Sequence, residues 1–219
     1  MMLHSRENTL HLTQLSMSAI EQLSPSFDQL PHTDHADGQY RLRRYSVVKF
    51  ENGDVVDLNR SHFVQSSEIN HFQGDVIRQF EPIEKTILNS AGFREMCEVF
   101  VNANALSNGQ EIEVHQIRIT ALQDETQVAP EGVHQDGFDH IAMVGVRRHN
   151  IIGGDILLYS SHNQAPFFRK VLENGEVAML ADSKLWHNAC PIRSVIDDQA
   201  GHMDLFVLTA TDKQNGLQS

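Results

Sequence analysis

The sequence has 219 residues, enough for one sizeable hydrophobic core, and no shift in composition divides it into two parts. Its 17 Lys and Arg residues stand against 29 Asp and Glu residues, which gives a formal net charge of −12 at pH 7. Because this charge repels nucleic acids and anionic membrane surfaces, we expect neither of them as a partner.

The N-terminal segment and the cysteine content indicate a cytoplasmic protein. The segment MMLHSRENTLHLTQ lacks a basic stretch followed by an apolar run, and no long uncharged apolar stretch occurs elsewhere. The two cysteines, Cys97 and Cys190, are too few for a disulfide framework. We therefore expect a soluble, cytoplasmic protein with reduced thiols, and a homo-oligomer is compatible with the sequence.

The first half of the chain changes from a helical to a β pattern near residue 39. Residues 1–38 contain LHLTQLSMSAIEQL, which predicts an N-terminal helical extension packed on the core. From Tyr40 onward, YRLRRYSVVKF alternates, ENGD offers an Asn-Gly turn and VVDLN resumes, a pattern typical of a β-hairpin. Two helices are predicted near residues 82–105, with Ser90 as the N-cap of the second.

The second half consists of short strand-like runs bounded by Gly, Asn, Asp or Pro. Because they follow one another without intervening helices, they favour an antiparallel sandwich or small barrel. We therefore predict one β domain over residues 39–219, with the helices near 82–105 inserted. The runs are EVHQIRIT, HIAMVGVRR, DILLYS, PFFRKVL, GEVAML and DLFVLTA.

The tripeptide His-x-Asp occurs four times, and its spacing suits metal binding. Residues i and i+2 of an extended segment point to one side, so an imidazole and a carboxylate can converge on one ion. Two histidines and one carboxylate on one octahedral face, with open positions opposite, are typical of non-haem Fe(II) oxygenases. The four copies are His32-Thr-Asp34, His35-Ala-Asp37, His134-Gln-Asp136 and His202-Met-Asp204.

Only one copy lies between predicted strands with further histidines downstream. His134 and Asp136 satisfy this condition, and His187 begins the run HNACPI after the convincing strand GEVAML. A histidine at the head of a core strand has the rigidity that a metal ligand needs. The alternative is three unrelated polar residues: a loop histidine, an Asx-type turn residue before Gly137 and a half-buried rim histidine.

Three blocks, PEGVHQDGFDH, VRRHNIIGGD and LWHNACPI, occur in this order between Val114 and Thr209. They resemble the bacterial Fe(II)- and 2-oxoglutarate-dependent dioxygenases that hydroxylate free amino acids, the group typified by isoleucine dioxygenase. The resemblance implies a double-stranded β-helix, a cupin-like jelly roll that is mainly β with flanking helices, in which His134, Asp136 and His187 bind Fe(II). It also implies that 2-oxoglutarate and O2 are consumed, and that succinate and CO2 are released.

The distal carboxylate of 2-oxoglutarate needs a cation inside the barrel, preferably one that binds it through two hydrogen bonds. In many relatives this cation is an arginine on the last strand, but here that strand reads GHMDLFVLT and contains none. We predict that Arg193, in CPIRS, is the anchor. Arg118, Arg147 and His202 are the alternatives.

Two classes of function are compatible with these features. The first is a dioxygenase that hydroxylates a small molecule, a free L-amino acid by the resemblance. The second is a non-catalytic jelly roll that binds a metal or small ligand as a sensor, which the missing last-strand arginine supports. The closely spaced triad favours the enzyme, and the absence of an obvious docking domain disfavours hydroxylation of a protein side chain.

Overall fold

The larger of two facing sheets contains seven strands, all paired antiparallel. The computed structural model describes residues 10–33, 37–63, 78–121, 125–196 and 198–212. The strands of this sheet are β1 (Leu10–Gln14), β2 (Arg41–Glu51), β3 (Asp54–Asp57), β6 (Gln110–Ala121), β7 (His140–His149), β11 (Glu176–Ala181) and β14 (Gly201–Ala210). Their spatial order is β1-β11-β7-β14-β6-β2-β3.

The smaller sheet lies across a cavity from the larger one and is built from short strands. Three strands pair in the order β10-β9-β12, and β13 pairs with β8 beside them. A bridge between His134 and His187 adds the segment before β7 to this layer. The short strands of this layer are β8 (Ile151–Gly153), β9 (Ile156–Tyr159), β10 (Phe168–Lys170), β12 (Trp186–Ala189) and β13 (Ile192–Ser194). Strands β4 (His62–Phe63) and β5 (Arg78–Gln79) form a separate two-stranded sheet.

Helices cover the outer face of the larger sheet, which is the face turned away from the smaller sheet. They are α1 (Met17–Leu23), α2 (Lys85–Leu88), α3 (Ala91–Ala103) and the 3-10 helix Ser24–Gln29. The hydroxyl of Ser90 accepts a hydrogen bond from the backbone N–H of Phe93 at 3.1 Å, so it caps α3. The two helices predicted near residues 82–105, and the cap, are confirmed.

The main core lies between these helices and the outer face of the larger sheet. Phe206 of β14 is fully buried there, with its ring 5.1 Å from that of Phe27 and 6.1 Å from that of Phe93. Strand alternation then turns Leu205 and Val207 to the inner face, towards the smaller sheet. Both of these residues line the cavity between the sheets. The apolar helices therefore fix which β14 residues face the cavity.

The N-terminal half contains one correct and one incorrect prediction. The predicted hairpin joins β2 and β3 through Asn52 and Gly53, both with positive φ, as a tight Asn-Gly turn requires. Leu10–Gln14, however, forms β1 rather than the start of a helix. Its five residues pair with β11, whose free edge supplies a hydrogen-bonding ladder that no local pattern reveals.

The proposed boundary at residue 38 stays a prediction, because residues 1–9, 34–36 and 213–219 lie outside the described residues. Within the described ranges, no helix has the length and hydropathy to cross a membrane.

Candidate metal centre

Three side chains from two segments meet at one end of the cavity. His134, Asp136 and His187 each offer a ligand atom, and these atoms lie within 4.8 Å of one another. The backbone holds the two segments together, because His134 N–H donates to His187 O and His187 N–H donates to His134 O, both at 2.9 Å. The structure therefore brings together the three residues that the sequence singled out.

A backbone carbonyl sets the orientation of the His134 ring. Nδ1 lies 2.8 Å from the carbonyl oxygen of Gly132, so its N–H donates there and Nε2 faces Asp136. Such a contact is the usual way that proteins fix the tautomer of a metal-binding histidine. Burial lowers the pKa of His134, but the hydrogen bond and charge of Asp136, with the charge of Glu131, outweigh it and raise the pKa to about 9.

The loop that carries Asp136 is held by a buried carboxylate. Oδ2 of Asp182 accepts hydrogen bonds from the backbone N–H groups of Asp136, Gly137 and Phe138 at 2.9, 2.8 and 3.2 Å. Gln135 points away from the triad, as alternation predicts, and its amide donates to the carbonyl oxygen of Asp182. The loop between β11 and β12 therefore fixes the direction of the Asp136 side chain.

The geometry of the triad is that of adjacent ligands on one metal ion. Asp136 Oδ1 lies 3.5 Å from His134 Nε2, and Asp136 Oδ2 lies 3.6 Å from His187 Nε2. Metal–ligand bonds of about 2.1 Å at right angles would separate such atoms by about 3 Å, a small adjustment. Nε2 of His187 is buried and makes no hydrogen bond within the described residues, although Oδ1 of Asp182 lies 3.3 Å from it, so a metal ion would satisfy it.

The triad opens onto a cavity of about 130 Å³ between the two sheets. One side of the cavity is apolar, and the other carries three arginines and two further carboxylates. A cavity with a few convergent charges and an apolar wall is typical of a small-molecule site. The charged residues are Asp37, Arg41, Arg43, Arg78 and Glu131, and the apolar wall includes Ile117, Ile119, Ile141, Leu205 and Val207.

Arg43 is a buried cation of this cavity. Its guanidinium carbon lies 5.1 Å above the ring of Phe80, and its Nη2 lies 3.9 Å from Asp37. Burial lowers its pKa to about 9, and the neighbouring Arg41 adds to this shift. The sequence analysis missed the three arginines of the cavity, although YRLRRYS carries two of them. The alternation of β2 was the signal that could have revealed them.

The predicted anchor Arg193 lies on β13, and its side chain is exposed and does not line the cavity. Arg118 and Arg147 lie on the outer face of the larger sheet, where both bind the buried carboxylate of Asp204. His202 also faces outward, with its ring 5.4 Å from that of His149. Neither Arg193 nor any of the three alternatives therefore faces the triad.

The other His-x-Asp copies do not form a comparable cluster in the part of the chain that the structure describes. Asp204 is bound to the two arginines on the outer face. Asp34 and His35, one residue from each of the two N-terminal copies, lie outside the described residues.

Comparison with known proteins places the chain in a family. The family profile described as 2OG-Fe dioxygenase matches residues 24–209. The chain belongs to this family. L-isoleucine-4-hydroxylase of Bacillus thuringiensis is 25% identical over 194 residues, which cover 83% of this chain and 79% of that relative.

Family membership confirms the predicted enzyme class. The chain is an iron-dependent dioxygenase of the 2-oxoglutarate type, with Fe(II), 2-oxoglutarate and O2 as its cofactors and cosubstrates. The non-catalytic alternative is therefore set aside.

Solved structures confirm the predicted fold. A BsmA homologue from Methylobium petroleophilum matches with a TM-score of 0.79 at 22% identity, over 98% of this chain and 92% of that one. IDO from Bacillus thuringiensis matches with a TM-score of 0.76 at 18% identity, over 94% of this chain and 95% of that one. The shared architecture is the jelly roll of the 2-oxoglutarate oxygenases.

Proposed function

We propose that this dioxygenase hydroxylates a free amino acid, with His134, Asp136 and His187 as its iron ligands. The convergence of the three ligand atoms within 4.8 Å, at the mouth of a charged cavity, carries the proposal. Three protein ligands on one face leave the other coordination positions for the cosubstrate and O2. When bound, iron with 2-oxoglutarate and O2 supplies the oxidant that hydroxylates a C–H bond, with release of succinate and CO2.

Hydrogen bonds within the protein orient the three proposed ligands independently of iron. The carbonyl of Gly132 orients His134, Asp182 fixes the Asp136 loop, and the bridge to His134 fixes the backbone of His187. Because each ligand is held by a neighbouring group, iron binding would require little further ordering of the three side chains. The proposed iron position is thus set by the loop of His134 and Asp136 and by strand β12, which are hydrogen-bonded to each other.

The charges of the cavity suit a zwitterion. Arg43 is buried, and its lowered pKa means that an anion beside it would stabilise its charged form. Oε2 of Glu131 is also buried and makes no hydrogen bond within the described part of the chain. We assign the substrate carboxylate to Arg43, where it would add a second anionic partner to the distant Asp37, and the ammonium group to Glu131, where it would pair the buried Oε2.

The apolar wall is where the substrate side chain would lie. Ile117, Ile141 and Leu205 face the cavity from three neighbouring strands of the larger sheet. An aliphatic amino acid would bury its side chain there, and the similarity to L-isoleucine-4-hydroxylase makes isoleucine and leucine the first candidates.

Anaerobic titration with Fe(II) and 2-oxoglutarate tests the iron ligands. We expect a weak visible charge-transfer band in the unaltered protein, and no band in His134→Ala or Asp136→Ala. Asp212→Asn, a carboxylate that is 66% exposed and bonded to His140, is the matched control and should keep the band. A band that persists in both triad variants would remove the ligand assignment.

Succinate release tests the substrate class. With each common amino acid in turn, we expect succinate above the background rate with isoleucine or leucine, and a product heavier by one oxygen atom. A protein that forms the band but releases no extra succinate with any amino acid would contradict the substrate assignment and leave the iron site intact.

A further inference from the structure

A bulge in β7 decides which of two consecutive arginines enters the barrel. In the pairing with β14, Leu205 lies opposite Gly145 and Asp204 lies opposite Arg147, so Val146 has no counterpart. Such an extra residue leaves two successive side chains on one face and reverses the alternation beyond it. Val146 packs in the core under the helices, and Arg147 points to the same side and binds Asp204.

Arg148 therefore turns to the inner face, where it lines a second, apolar cavity. Its Nη2 donates to the carbonyl oxygen of Gly153 at 2.8 Å. Its Nη1 is buried and has no hydrogen-bond partner within the described residues. An unpaired guanidinium N–H in an apolar space is costly, and a carboxylate is the partner that a guanidinium binds best.

This cavity adjoins the one at the triad. The two share walls formed by Val128, Met143, Ala189 and Leu205. Ala189 follows His187 by two residues on β12, so its side chain is on the same face about 7 Å further along the strand. A five-carbon dicarboxylate spans about 5 Å between its end carbons, which suits a molecule held by iron at one end and by Arg148 at the other.

The strand opposite Arg148 also indicates that a carboxylate can bind in this second cavity. Met203 of β14 is its cross-strand partner, and Met203 also lines the second cavity. The last strand, where the resemblance led us to expect an arginine, thus presents a methionine with a guanidinium directly beside it. Cross-strand neighbours lie about 5 Å apart, so a cation at position 148 can serve the space in front of position 203.

The double glycine at the end of β8 keeps this space open. A Cβ atom added to Gly154 would lie 3.1 Å from the sulfur of Met203 and 3.2 Å from Nη1 of Arg148. Gly153 has a φ of +85° and supplies the carbonyl that holds Nη2. The Gly-Gly turn therefore positions the Arg148 side chain.

We propose that Arg148 binds the distal carboxylate of 2-oxoglutarate. The proposal rests on the iron site proposed above, because that site holds the other end of the molecule. It replaces the exposed Arg193 with a half-buried cation that faces the barrel interior.

The test compares two keto acids that differ in the distal carboxylate. Anaerobic titration of the Fe(II) protein with 2-oxoglutarate, and separately with 2-oxobutyrate, gives an apparent Kd for each from the visible band. We expect Arg148→Gln to raise the Kd for 2-oxoglutarate at least about 30-fold, the loss typical of removing one partner of a buried charge pair. The Kd for 2-oxobutyrate, which has no distal carboxylate, should change less than about threefold, because the band reports only the keto acid end.

Arg193→Ala is the matched control and should change neither Kd by more than about twofold. Arg148→Lys retains a charge without the planar fork and should lose 2-oxoglutarate affinity selectively but less severely, so it decides the question if the glutamine variant does not fold. An equal loss for both keto acids would assign Arg148 a purely structural role and overturn the proposal. A selective loss of 2-oxoglutarate affinity in Arg193→Ala would also overturn the proposal. The absence of a visible band in the unaltered protein would instead refute the proposed iron site.

Discussion

On the outer face of the larger sheet, Arg118 and Arg147 share the carboxylates of Asp204 and Asp28. Nε of Arg118 lies 2.6 Å from Asp204, Nε of Arg147 lies 2.9 Å from it, and Asp28 closes the cluster from the 3-10 helix. On the inner face, Arg43 has Asp37 at 3.9 Å, and one guanidinium nitrogen of Arg148 has no partner within the described residues. Arg118 and Arg147 are thus fully paired on the outer face, whereas on the inner face Arg148 keeps one guanidinium nitrogen without a partner among the described residues.

This difference between the two faces distinguishes an arginine that stabilises the fold from one that binds a ligand. The outer cluster joins the N-terminal segment to the sheet, and the hydrogen bond from Arg147 lowers the pKa of Asp28, as expected for a satisfied ion pair. The inner arginines face a cavity beside the triad. Changes on the outer face should therefore alter stability, and changes on the inner face should alter binding.

The largest expected effect is on the outer face, in Asp204→Ala. The Asp204 side chain has no exposed surface, and its loss leaves two guanidinium groups without their main partner. We expect the free energy of unfolding to fall by about 2–4 kcal/mol, less than for a fully buried pair because both arginines keep contact with water. Urea denaturation measures this change.

Asp28→Ala is the control for that variant. Asp28 is 57% exposed, so its removal should cost less than about 1 kcal/mol. Equal losses in the two variants would contradict the view that the buried carboxylate holds the cluster together.

The next effect is on the inner face, in Arg43→Ala. Removal of this buried cation should lower kcat/KM for the amino acid about 100-fold, because the substrate carboxylate loses its partner. The Kd for 2-oxoglutarate, measured from the visible band, should stay within about threefold, since Arg148 is its proposed partner. If the Arg43→Ala variant instead loses affinity for 2-oxoglutarate, Arg43 rather than Arg148 would be the partner of the cosubstrate.

Asp182→Asn should weaken iron binding about tenfold or more without unfolding the protein. The substitution replaces one acceptor oxygen with an NH2 group and removes the charge that holds three backbone N–H groups of the Asp136 loop. Competition with a metal chelator measures the affinity, and thermal unfolding checks the fold. Unchanged affinity would mean that the loop holds Asp136 without help from Asp182.

The smallest effect is expected in the helical layer over the outer face. Ser90→Ala removes the N-cap of α3 and should cost about 1 kcal/mol of stability. Band intensity and turnover should not change, because the helices do not line the cavity. Ser160→Ala, an exposed serine outside any helix, should leave the stability within about 0.5 kcal/mol.

Local patterns in the sequence predicted much of this molecule. The Asn-Gly turn defined the hairpin of β2 and β3, Ser90 marked the start of α3, and alternation marked the strands of the second half. The grouping of His134, Asp136 and His187 also followed from the sequence, because two of them share one extended segment and the third begins a strand. Each of these inferences depends on neighbours within a few residues or on strand order.

Contacts between distant segments decided the rest. β1 is a strand because β11 offers an open edge, which the pattern LHLTQ does not reveal. Arg193 was chosen for its position after His187, but the pairing of β13 with β8 leaves its side chain exposed. The choice between Arg147 and Arg148 depends on a single unpaired residue, Val146. Strand register fixes the face on which each side chain lies, and register is set by the partner strand, so only the tertiary structure decides which charges reach the cavity.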